Sequence, residues 1–484
     1  MRKISSLVVL TLVGLTSRIV LGARDRDIVK QLPDVEIPMS SQWYSGFLDV
    51  PETKSLHYVF ITSTSADAKN DPVVVWFNGG PGCSSLLALF SEHGPYVFDD
   101  NEYVIKPNPQ PWNQRANMLY IESPAGVGYS KATTDEDYAH NDMSQSIDAF
   151  FALQQFYIDY SEYLPNKLFI SGESYGGVYV PYLAWQIHQH NLQAKWSDGV
   201  HTQINLAGFI VGNGATDWDL DIFPAYPEVV YNFNMIPKDL LTNFQNGDCH
   251  YYFNDVKKYN NTKECDTMFD TIMNARGNLN WYDLFQPTPA GTPGTVLLKD
   301  ANRLGSAMVD GEEKTYVRGY TMKEYTPWAK HIVESPNHPL LGAPLGDYVN
   351  REDVRAALNI PTTMPGWNQC SPEDSKFTYH YQYEGSVWIY SILKAYNYQI
   401  LFFSGDTDGA VPTLGTRRWI QAQNWKVSAA WRPWVTDQQT SGFIIEYDNF
   451  KFATVHGVGH MAPQWKRKDV TKLFSTFIHG EKLE

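Results

Sequence analysis

Short runs of consecutive apolar residues recur along this chain and alternate with stretches that have helical spacing. Seven of these runs predict β-strands, at residues 56–62, 73–77, 118–122, 168–171, 206–211, 400–404 and 452–455. Residues 141–160 predict a helix, because apolar side chains recur there at helical spacing, with Asn141 or Asp142 as the N-cap. Strands that are apolar on both faces are typical of a buried parallel sheet. The pattern therefore predicts an α/β fold, with a mostly parallel central sheet covered by helices on both faces.

This alternation breaks down in residues 217–345. The stretch contains two of the four cysteines and a turn-rich run of Pro, Thr and Gly at residues 286–294. It interrupts the order of the predicted strands. We therefore predict a core made of residues 23–216 and 346–484, into which residues 217–345 are inserted as a lid subdomain beside the active site.

The first residues have the features of a secretory signal peptide. A basic start precedes a short apolar stretch at residues 7–15, which Arg18 ends, and the small residues Gly22 and Ala23 follow. No later stretch reaches the roughly 18 uncharged apolar residues of a membrane-spanning helix. We expect a signal peptide at residues 1–22 and a mature protein without a membrane span. It would enter the secretory pathway and reach a lysosome or vacuole, or be secreted.

The charge of the chain narrows the range of partners. The formal net charge at pH 7 is −15, and it becomes −18 once the three basic residues of the signal peptide are removed. Such an acidic chain does not favour nucleic acid or an anionic membrane as a partner. The chain has no C-x-x-C pair or Cys/His cluster with zinc-site spacing, and nothing in it predicts a metal or another cofactor.

The cysteines and one asparagine predict processing in the secretory pathway. The cysteines are Cys83, Cys249, Cys265 and Cys370. An even number in an oxidising compartment predicts two disulfides, for which three connectivities are possible. Asn260 begins the single N-glycosylation acceptor, Asn-Asn-Thr, in a polar stretch expected at the surface.

One motif predicts a catalytic nucleophile. The sequence from Gly172 to Gly176 spells G-x-S-x-G around Ser174, between an apolar run and a stretch that predicts a helix. A serine on a tight turn between a strand and a helix is the nucleophile elbow of α/β-hydrolases. Because a bare G-x-S-x-G match arises often by chance, the prediction depends on finding an acid and a base downstream.

Both partners follow in the order Ser…Asp…His that this arrangement requires. The predicted strand at 400–404 runs into a Gly/Asp turn that contains Asp406 and Asp408, and a later Gly-rich loop contains His456 and His460. A histidine activates the serine by taking its proton, and a carboxylate fixes the histidine tautomer. An acidic cap in a turn and a solvated loop histidine are the ordinary alternatives for each residue taken alone.

A Gly-rich loop at residues 78–85 follows the predicted strand at 73–77. Its glycines would let backbone N–H groups point at a developing oxyanion. An ordinary Gly-Pro turn would also explain the glycines, but it would not explain why the loop lies at this position.

Four motifs in register resemble the serine carboxypeptidase family. They are W-x-N-G-G-P-G-C-S-S from Trp76, E-S-P-A-G-V-G-Y-S from Glu122, G-E-S-Y-G-G from Gly172 and G-H-M-x-P from Gly459. The resemblance spans essentially the whole mature chain and implies the α/β-hydrolase fold. It also implies Ser174 as nucleophile, His460 as base and Asp408 as the orienting acid, with Asp406 and His456 in structural roles.

The resemblance assigns further residues. It implies an oxyanion hole made by the backbone N–H groups of Gly80 and Tyr175. A site for the C-terminal carboxylate of a substrate would be formed by Asn78, Gly79, Glu92 and Glu173. Finally, it implies disulfides between Cys83 and Cys370 and between Cys249 and Cys265.

The expected activity is that of an acidic serine carboxypeptidase that forms an acyl-enzyme on peptide or protein C-termini. Two ionised glutamates would repel the substrate carboxylate, so we hypothesise that Glu92 and Glu173 bind it in protonated form. The alternatives are an acyltransferase, whose relatives typically carry Asp in place of Glu173, and a protective or binding protein without turnover. The sequence leaves open the side-chain preference and the oligomeric state, with a homodimer among the options.

Overall fold

The computed structural model describes residues 25–51, 53–99, 104–196, 202–252, 259–277, 279–285, 305–309, 312–316, 343–372 and 375–484. The predicted signal peptide and the turn-rich run at 286–294 lie outside these residues. The boundaries predicted for the lid subdomain stay a prediction.

The strands and helices of the described residues are numbered in chain order. The strands are β1 (Ile28–Val29), β2 (Trp43–Val50), β3 (Lys54–Ile61), β4 (Val73–Phe77), β5 (Tyr96–Asp99), β6 (Val104–Pro107), β7 (Asn117–Ile121), β8 (Lys131–Ala132), β9 (Ala139–Asn141), β10 (Leu168–Glu173), β11 (Leu206–Gly212), β12 (Gly305–Val309), β13 (Glu312–Tyr316), β14 (Thr378–His380), β15 (Gln399–Gly405), β16 (Ala429–Thr436), β17 (Gln439–Tyr447) and β18 (Phe450–Val455). The α-helices are α1 (Asp142–Asp159), α2 (Gly176–Trp196), α3 (Tyr226–Asn232), α4 (Lys238–Asn246), α5 (Lys263–Asn274), α6 (Ala343–Val349), α7 (Glu352–Ala357), α8 (Val387–Ala395), α9 (Thr413–Ala422), α10 (Ala462–Trp465) and α11 (Arg467–Ile478).

One large mixed sheet organises the molecule. Its strand order is β1-β2-β3-β7-β4-β10-β11-β15-β18-β17-β16, and β8 pairs with β3. The six strands from β7 to β18 in this order are mutually parallel, whereas both flanks are antiparallel. The α/β class and the seven predicted strands are confirmed. The prediction missed the flanking strands β2, β16 and β17, whose burial is interrupted by exposed or half-buried positions.

The sheet separates two hydrophobic cores. Successive residues of β4 alternate between them, with Val74 and Trp76 in one core and Val73, Val75 and Phe77 in the other. Helices α6, α7 and α11 cover the first core, and helices α1, α2, α8 and α9 cover the second. Burial on both faces explains why the central strands are apolar at most positions and why β4 is apolar at all of them.

Helix α1 begins where the sequence predicts it. The side chain of Asn141 accepts a hydrogen bond from the backbone N–H of Ser144 at 2.9 Å, and the Ser144 hydroxyl accepts one from the Asn141 N–H at 2.9 Å. Asn141 is therefore the N-cap. The neighbouring Asp142 instead accepts a hydrogen bond from the Tyr175 hydroxyl at 2.8 Å.

A third hydrophobic cluster lies in the stretch predicted as an insertion. Helices α3, α4 and α5 contribute most of its buried residues, and Leu284 contributes another. A disulfide joins Cys249 to Cys265, inside this cluster's segment, and a second disulfide joins Cys83 to Cys370. No helix among the described residues combines the length and the apolar character needed to cross a membrane.

One buried carboxylate accepts hydrogen bonds from several separate parts of the chain. Glu122, directly after β7, accepts hydrogen bonds from the His57 ring at 2.9 Å, the Trp367 indole at 2.8 Å and the Tyr129 backbone N–H at 2.8 Å. The Ser84 hydroxyl donates a fourth hydrogen bond. These donors come from separate parts of the chain, so Glu122 holds the Gly-rich loop against the sheet and the Trp367 segment.

Removing the Glu122 carboxylate should lower the free energy of unfolding. Glu122→Ala leaves three buried donors and the His57 ring without their acceptor, and each buried polar group left unsatisfied costs about 1–3 kcal/mol, so the total should reach several kcal/mol. We expect a loss of that size in the free energy of unfolding, measured by urea denaturation. Asp135→Ala, which removes an exposed partner of Lys376, is the control and should have a much smaller effect. Equal losses in the two variants would contradict this interpretation.

Candidate active site

Ser174 lies at a strained turn in the middle of the sheet. It follows β10 directly, and only Tyr175 separates it from α2. Its φ is 60°, in the left-handed region. Its carbonyl oxygen accepts hydrogen bonds from the N–H groups of Gly177 at 2.9 Å and Ala215 at 3.0 Å. These bonds stabilise a backbone conformation that a serine rarely adopts. The predicted strand–turn–helix context is confirmed.

Asp408 and His460 form a buried pair. Asp408 Oδ2 lies 2.7 Å from His460 Nδ1, and the two residues are 2% and 3% exposed. Asp408 Oδ1 accepts the backbone N–H groups of Ala410 at 2.7 Å and Val411 at 3.1 Å. With its proton on Nδ1, His460 would keep Nε2 free to accept another proton.

Asn213 links this pair to the serine. Its side-chain amide donates to Asp408 Oδ2 at 2.8 Å. The preceding residue, Gly212, accepts a hydrogen bond from the Ser174 N–H at 3.2 Å. Ser174, Asn213, Asp408 and His460 thus follow the carboxyl ends of the adjacent parallel strands β10, β11, β15 and β18.

The other aspartate and histidine of these loops form a second pair. His456 Nδ1 lies 2.7 Å from Asp406 Oδ2, and Asp406 Oδ1 accepts the Gly457 N–H at 2.7 Å. The side chains of His456 and Asp406 are 62% and 30% exposed, in contrast to the buried Asp408–His460 pair. This contact holds the two loops together at the surface, away from the buried pair.

The Gly-rich loop contacts the serine turn through its backbone. A Cβ atom placed on Gly79 would lie 2.3 Å from the Tyr175 nitrogen and 2.7 Å from Ser174 Cβ. Gly80, with a φ of 111°, continues the loop, and the Cys83 N–H donates to the Gly79 carbonyl at 3.0 Å. Only glycine fits at position 79, and the loop backbone therefore lies directly beside Ser174 and Tyr175.

Two buried carboxyl groups meet next to this loop. The Asn78 side-chain amide donates to Glu92 Oε1 at 3.2 Å and to Glu173 Oε1 at 3.1 Å. Asn78 is oriented by the Trp76 indole, which donates to its Oδ1 at 2.8 Å. The second oxygen of each glutamate is buried and has no hydrogen-bond donor among the described residues.

Burial makes both carboxyl groups weaker acids. It raises the pKa of Glu92 to about 7. Hydrogen bonds from the Asn78 amide and the Glu173 carboxyl group, and the positive charge of Arg467, act in the opposite direction and lower this pKa. Burial also raises the pKa of Glu173 well above its usual value, and the nearby charge of Glu92 adds to this effect. At acidic pH the pair would therefore hold at least one proton, which its members could share or donate to a ligand.

The sequence analysis missed two residues that support the site. Asn213 follows β11 directly, so its position at a strand end was a usable signal. Arg467, at the start of α11, donates to the backbone oxygens of Glu92 at 2.9 Å and Ser91 at 2.6 Å. Nothing in the sequence pattern points to Arg467, because its contact depends on how α11 packs against the turn at Ala88–Glu92.

Comparison with known proteins gives one consistent family. A family model described as serine carboxypeptidase matches residues 33–480. The lysosomal protective protein of Mus musculus is 33% identical over 479 residues, which are 95% of each chain. Serine carboxypeptidase 1 of Hordeum vulgare is 30% identical over 481 residues, covering 94% of this chain and 93% of that protein. The solved structure of Kex1, a prohormone-processing carboxypeptidase of Saccharomyces cerevisiae, has the same fold, with a TM-score of 0.70, 18% identity, and coverage of 95% of this chain and 97% of that chain.

The raised pKa values of Glu92 and Glu173 should make stability depend on pH. The folded protein holds these protons more tightly than the unfolded chain, so their stabilising effect is complete below about pH 4.5 and is lost as pH rises through about 7. We expect the variant Glu92→Gln/Glu173→Gln to lose less free energy of unfolding between these pH values than the wild type does. Urea denaturation at several pH values measures this, with Ser174→Ala as the control that keeps the wild-type slope. Parallel curves for the double variant and the wild type would contradict the assignment.

Proposed function

This chain belongs to the serine carboxypeptidase family, and we propose that it hydrolyses C-terminal peptide bonds through Ser174, His460 and Asp408. The observation that carries the proposal is the buried Glu92–Glu173 pair, bridged by Asn78 beside the Ser174 turn. A proton-holding carboxyl pair next to a nucleophile suits a substrate that ends in a carboxylate close to its scissile bond. Such a substrate is a peptide cleaved at its last residue.

The first half of the proposed reaction forms an acyl-enzyme. Ser174 Oγ attacks the scissile carbonyl carbon while His460 Nε2 takes the hydroxyl proton, and Asp408 stabilises the resulting imidazolium. The backbone N–H groups of Gly80 and Tyr175 donate to the oxyanion of the tetrahedral intermediate. His460 then gives its proton to the leaving nitrogen, the C–N bond breaks, and the C-terminal amino acid departs.

The second half regenerates the serine. Water attacks the acyl ester while His460 takes one of its protons, and the intermediate collapses with return of that proton to Ser174 Oγ. The shortened peptide leaves with a new carboxylate. No step needs a metal or an organic cofactor.

Recognition of the substrate depends on hydrogen bonds to its terminal carboxylate. The Asn78 amide, the Gly79 N–H and the carboxyl proton held by Glu92 and Glu173 would supply the donors. When both glutamates are ionised, their negative charges would repel the substrate. The proposal therefore includes an acidic pH optimum.

We further propose that the protein works in the secretory pathway. The two disulfides of the structure are typical of an oxidising compartment. Asn260 is exposed just before α5, as a glycosylated asparagine must be. The signal peptide at residues 1–22 and the lid formed by residues 217–345 belong to the same proposal.

Replacing the nucleophile should abolish turnover. Loss of a triad serine typically lowers kcat by about 10⁶-fold, so Ser174→Ala should release no amino acid from an N-blocked dipeptide above background. Product release is followed by mass spectrometry between pH 4 and 8. Asp135→Ala, which removes an exposed carboxylate paired with Lys376, is the control and should stay active. Turnover by Ser174→Ala would refute the proposal, and transfer of the acyl group to an added alcohol without hydrolysis would favour the acyltransferase alternative.

The Michaelis constant should depend on pH through the protonation of Glu92 and Glu173. KM for an N-blocked dipeptide is expected to rise as pH increases through about 7, because Glu92 loses its proton there. The double variant Glu92→Gln/Glu173→Gln keeps donors but cannot ionise, so its KM should change little over the same range. The matching C-terminal amide is a control substrate that has no carboxylate to repel. A wild-type KM that stays flat from pH 5 to 8 would rule out this recognition mechanism.

A further inference from the structure

The carboxylate of Asp283 contacts both loops that carry the acid–base pair. Asp283 lies in the segment at 279–285, within the stretch predicted as an insertion, and is buried. Its Oδ1 accepts the Thr407 hydroxyl at 2.7 Å and the Phe285 backbone N–H at 3.0 Å. The Gly459 backbone packs against Asp283, where a Cβ atom on Gly459 would lie 2.7 Å from the Asp283 Cβ atom, and its N–H lowers the pKa of the Asp283 carboxyl group.

Thr407 and Gly459 are the residues that directly precede Asp408 and His460. We propose that Asp283 is a positioning residue, whose carboxylate holds the Asp408 loop and the His460 loop in register for proton transfer. This inference rests on the proposed function of Asp408 and His460. It gives part of the insertion a direct role at the acid–base pair.

The backbone around Asp283 makes the same connection. The Tyr282 carbonyl accepts the His460 N–H at 2.6 Å. The Leu284 N–H donates to the Thr407 carbonyl at 2.8 Å, and the Gly409 N–H donates to the Trp281 carbonyl at 3.1 Å. The segment at 281–284 is therefore hydrogen-bonded to both loops, through Tyr282 to the His460 loop and through its other three residues to the Asp408 loop.

The fit between these segments allows little displacement. A Cβ atom on Gly459 would lie 1.9 Å from the Tyr282 carbonyl oxygen, and one on Gly409 would lie 2.7 Å from the Trp281 carbonyl oxygen. Both positions require glycine because another backbone passes at contact distance. The contacts thus define one arrangement of the two loops rather than a range of arrangements.

The chemistry of Asp283 favours a positioning role over simple stabilisation. Burial raises the pKa of Asp283, and the charge of Asp408 raises it further, while the hydrogen bonds from Thr407, Phe285 and Gly459 lower it. A buried carboxyl group beside a second carboxylate opposes folding unless donors compensate it. Here two of those donors belong to the residues adjacent to Asp408 and His460.

Paired variants test this role. Asp283→Ala and Thr407→Val remove the hydrogen bond from either side, whereas Asp283→Asn and Thr407→Ser keep an acceptor or a donor. Because a displacement of about 1 Å can lower a rate about 100-fold, we expect the first two variants to lose about 10- to 100-fold in kcat. Their KM should stay within about two-fold, since Asn78, Glu92 and Glu173 lie on other segments. The two conservative variants should stay within about three-fold of the wild-type kcat.

The number of folded active sites must be counted independently. Exhaustive labelling of Ser174 with a fluorophosphonate, measured by mass spectrometry, gives the concentration to which kcat is normalised, and the initial labelling rate should fall with kcat. Thermal unfolding of each variant separates lost stability from lost rate. A normal kcat per labelled site in Asp283→Ala, or a change in KM alone, would overturn the inference.

A spectroscopic measurement tests the positioning without any turnover. In the wild type, the His460 Nδ1 proton bonded to Asp408 should give a low-field proton NMR signal, identified by its loss in His460→Ala. Asp283→Ala should shift or broaden this signal, and Asp283→Asn should restore it. An unchanged signal in Asp283→Ala would refute the positioning role. Failure of Ser174 to react with the fluorophosphonate would refute the proposed nucleophile instead, which the NMR result does not depend on.

Discussion

The parallel pairing of the central strands is the constraint on which the site depends. Parallel strands have their carboxyl ends at one edge, and the residues that follow them must meet there. Asn78 follows β4, Ser174 follows β10, Asn213 follows β11, Asp408 comes after β15, and His460 comes after β18. Residues almost 400 positions apart in sequence are thus brought together by backbone hydrogen bonds of the sheet. The antiparallel flanks contribute no residue to this set.

The buried carboxyl groups of the protein divide into two kinds by their donors. Glu122 and Asp408 each accept four hydrogen bonds, two on each oxygen, so both oxygens of each group are satisfied within the fold. Glu92 and Glu173 each keep one buried oxygen without a donor among the described residues. Once protonated, such an oxygen can donate a hydrogen bond to the carboxylate of a ligand. This difference separates the carboxylates that are satisfied within the fold from the pair that we propose for substrate recognition.

The sequence predicted the elements that have a local signal and missed those defined by distant contacts. The strands, the helix α1 and the serine turn were predictable because apolar periodicity and the G-x-S-x-G motif lie within short windows. The choice of Asp408 over Asp406 came from family resemblance alone; in the structure it corresponds to a difference in burial. Asn213 had a usable signal at a strand end, whereas Arg467 and Asp283 had none. Their contacts exist only after helix α11 and the segment at 281–284 pack against the core.

The segment at 281–284 contacts both loops that carry Asp408 and His460. If the predicted insertion only covered the cleft, it would affect only which substrates enter, and the rest of the protein would fix the Asp408–His460 pair. Instead, the His460 N–H finds its acceptor on Tyr282, and the Thr407 hydroxyl finds its acceptor on Asp283. Both residues are buried, so without the segment the His460 N–H and the Thr407 hydroxyl would lose their acceptors. The loops would then have to move for these groups to form other hydrogen bonds. The geometry of the Asp408–His460 pair therefore depends on the segment at 281–284 as well as on the sheet. Under the proposed function, changes in the predicted insertion would alter the rate of the reaction as well as its specificity.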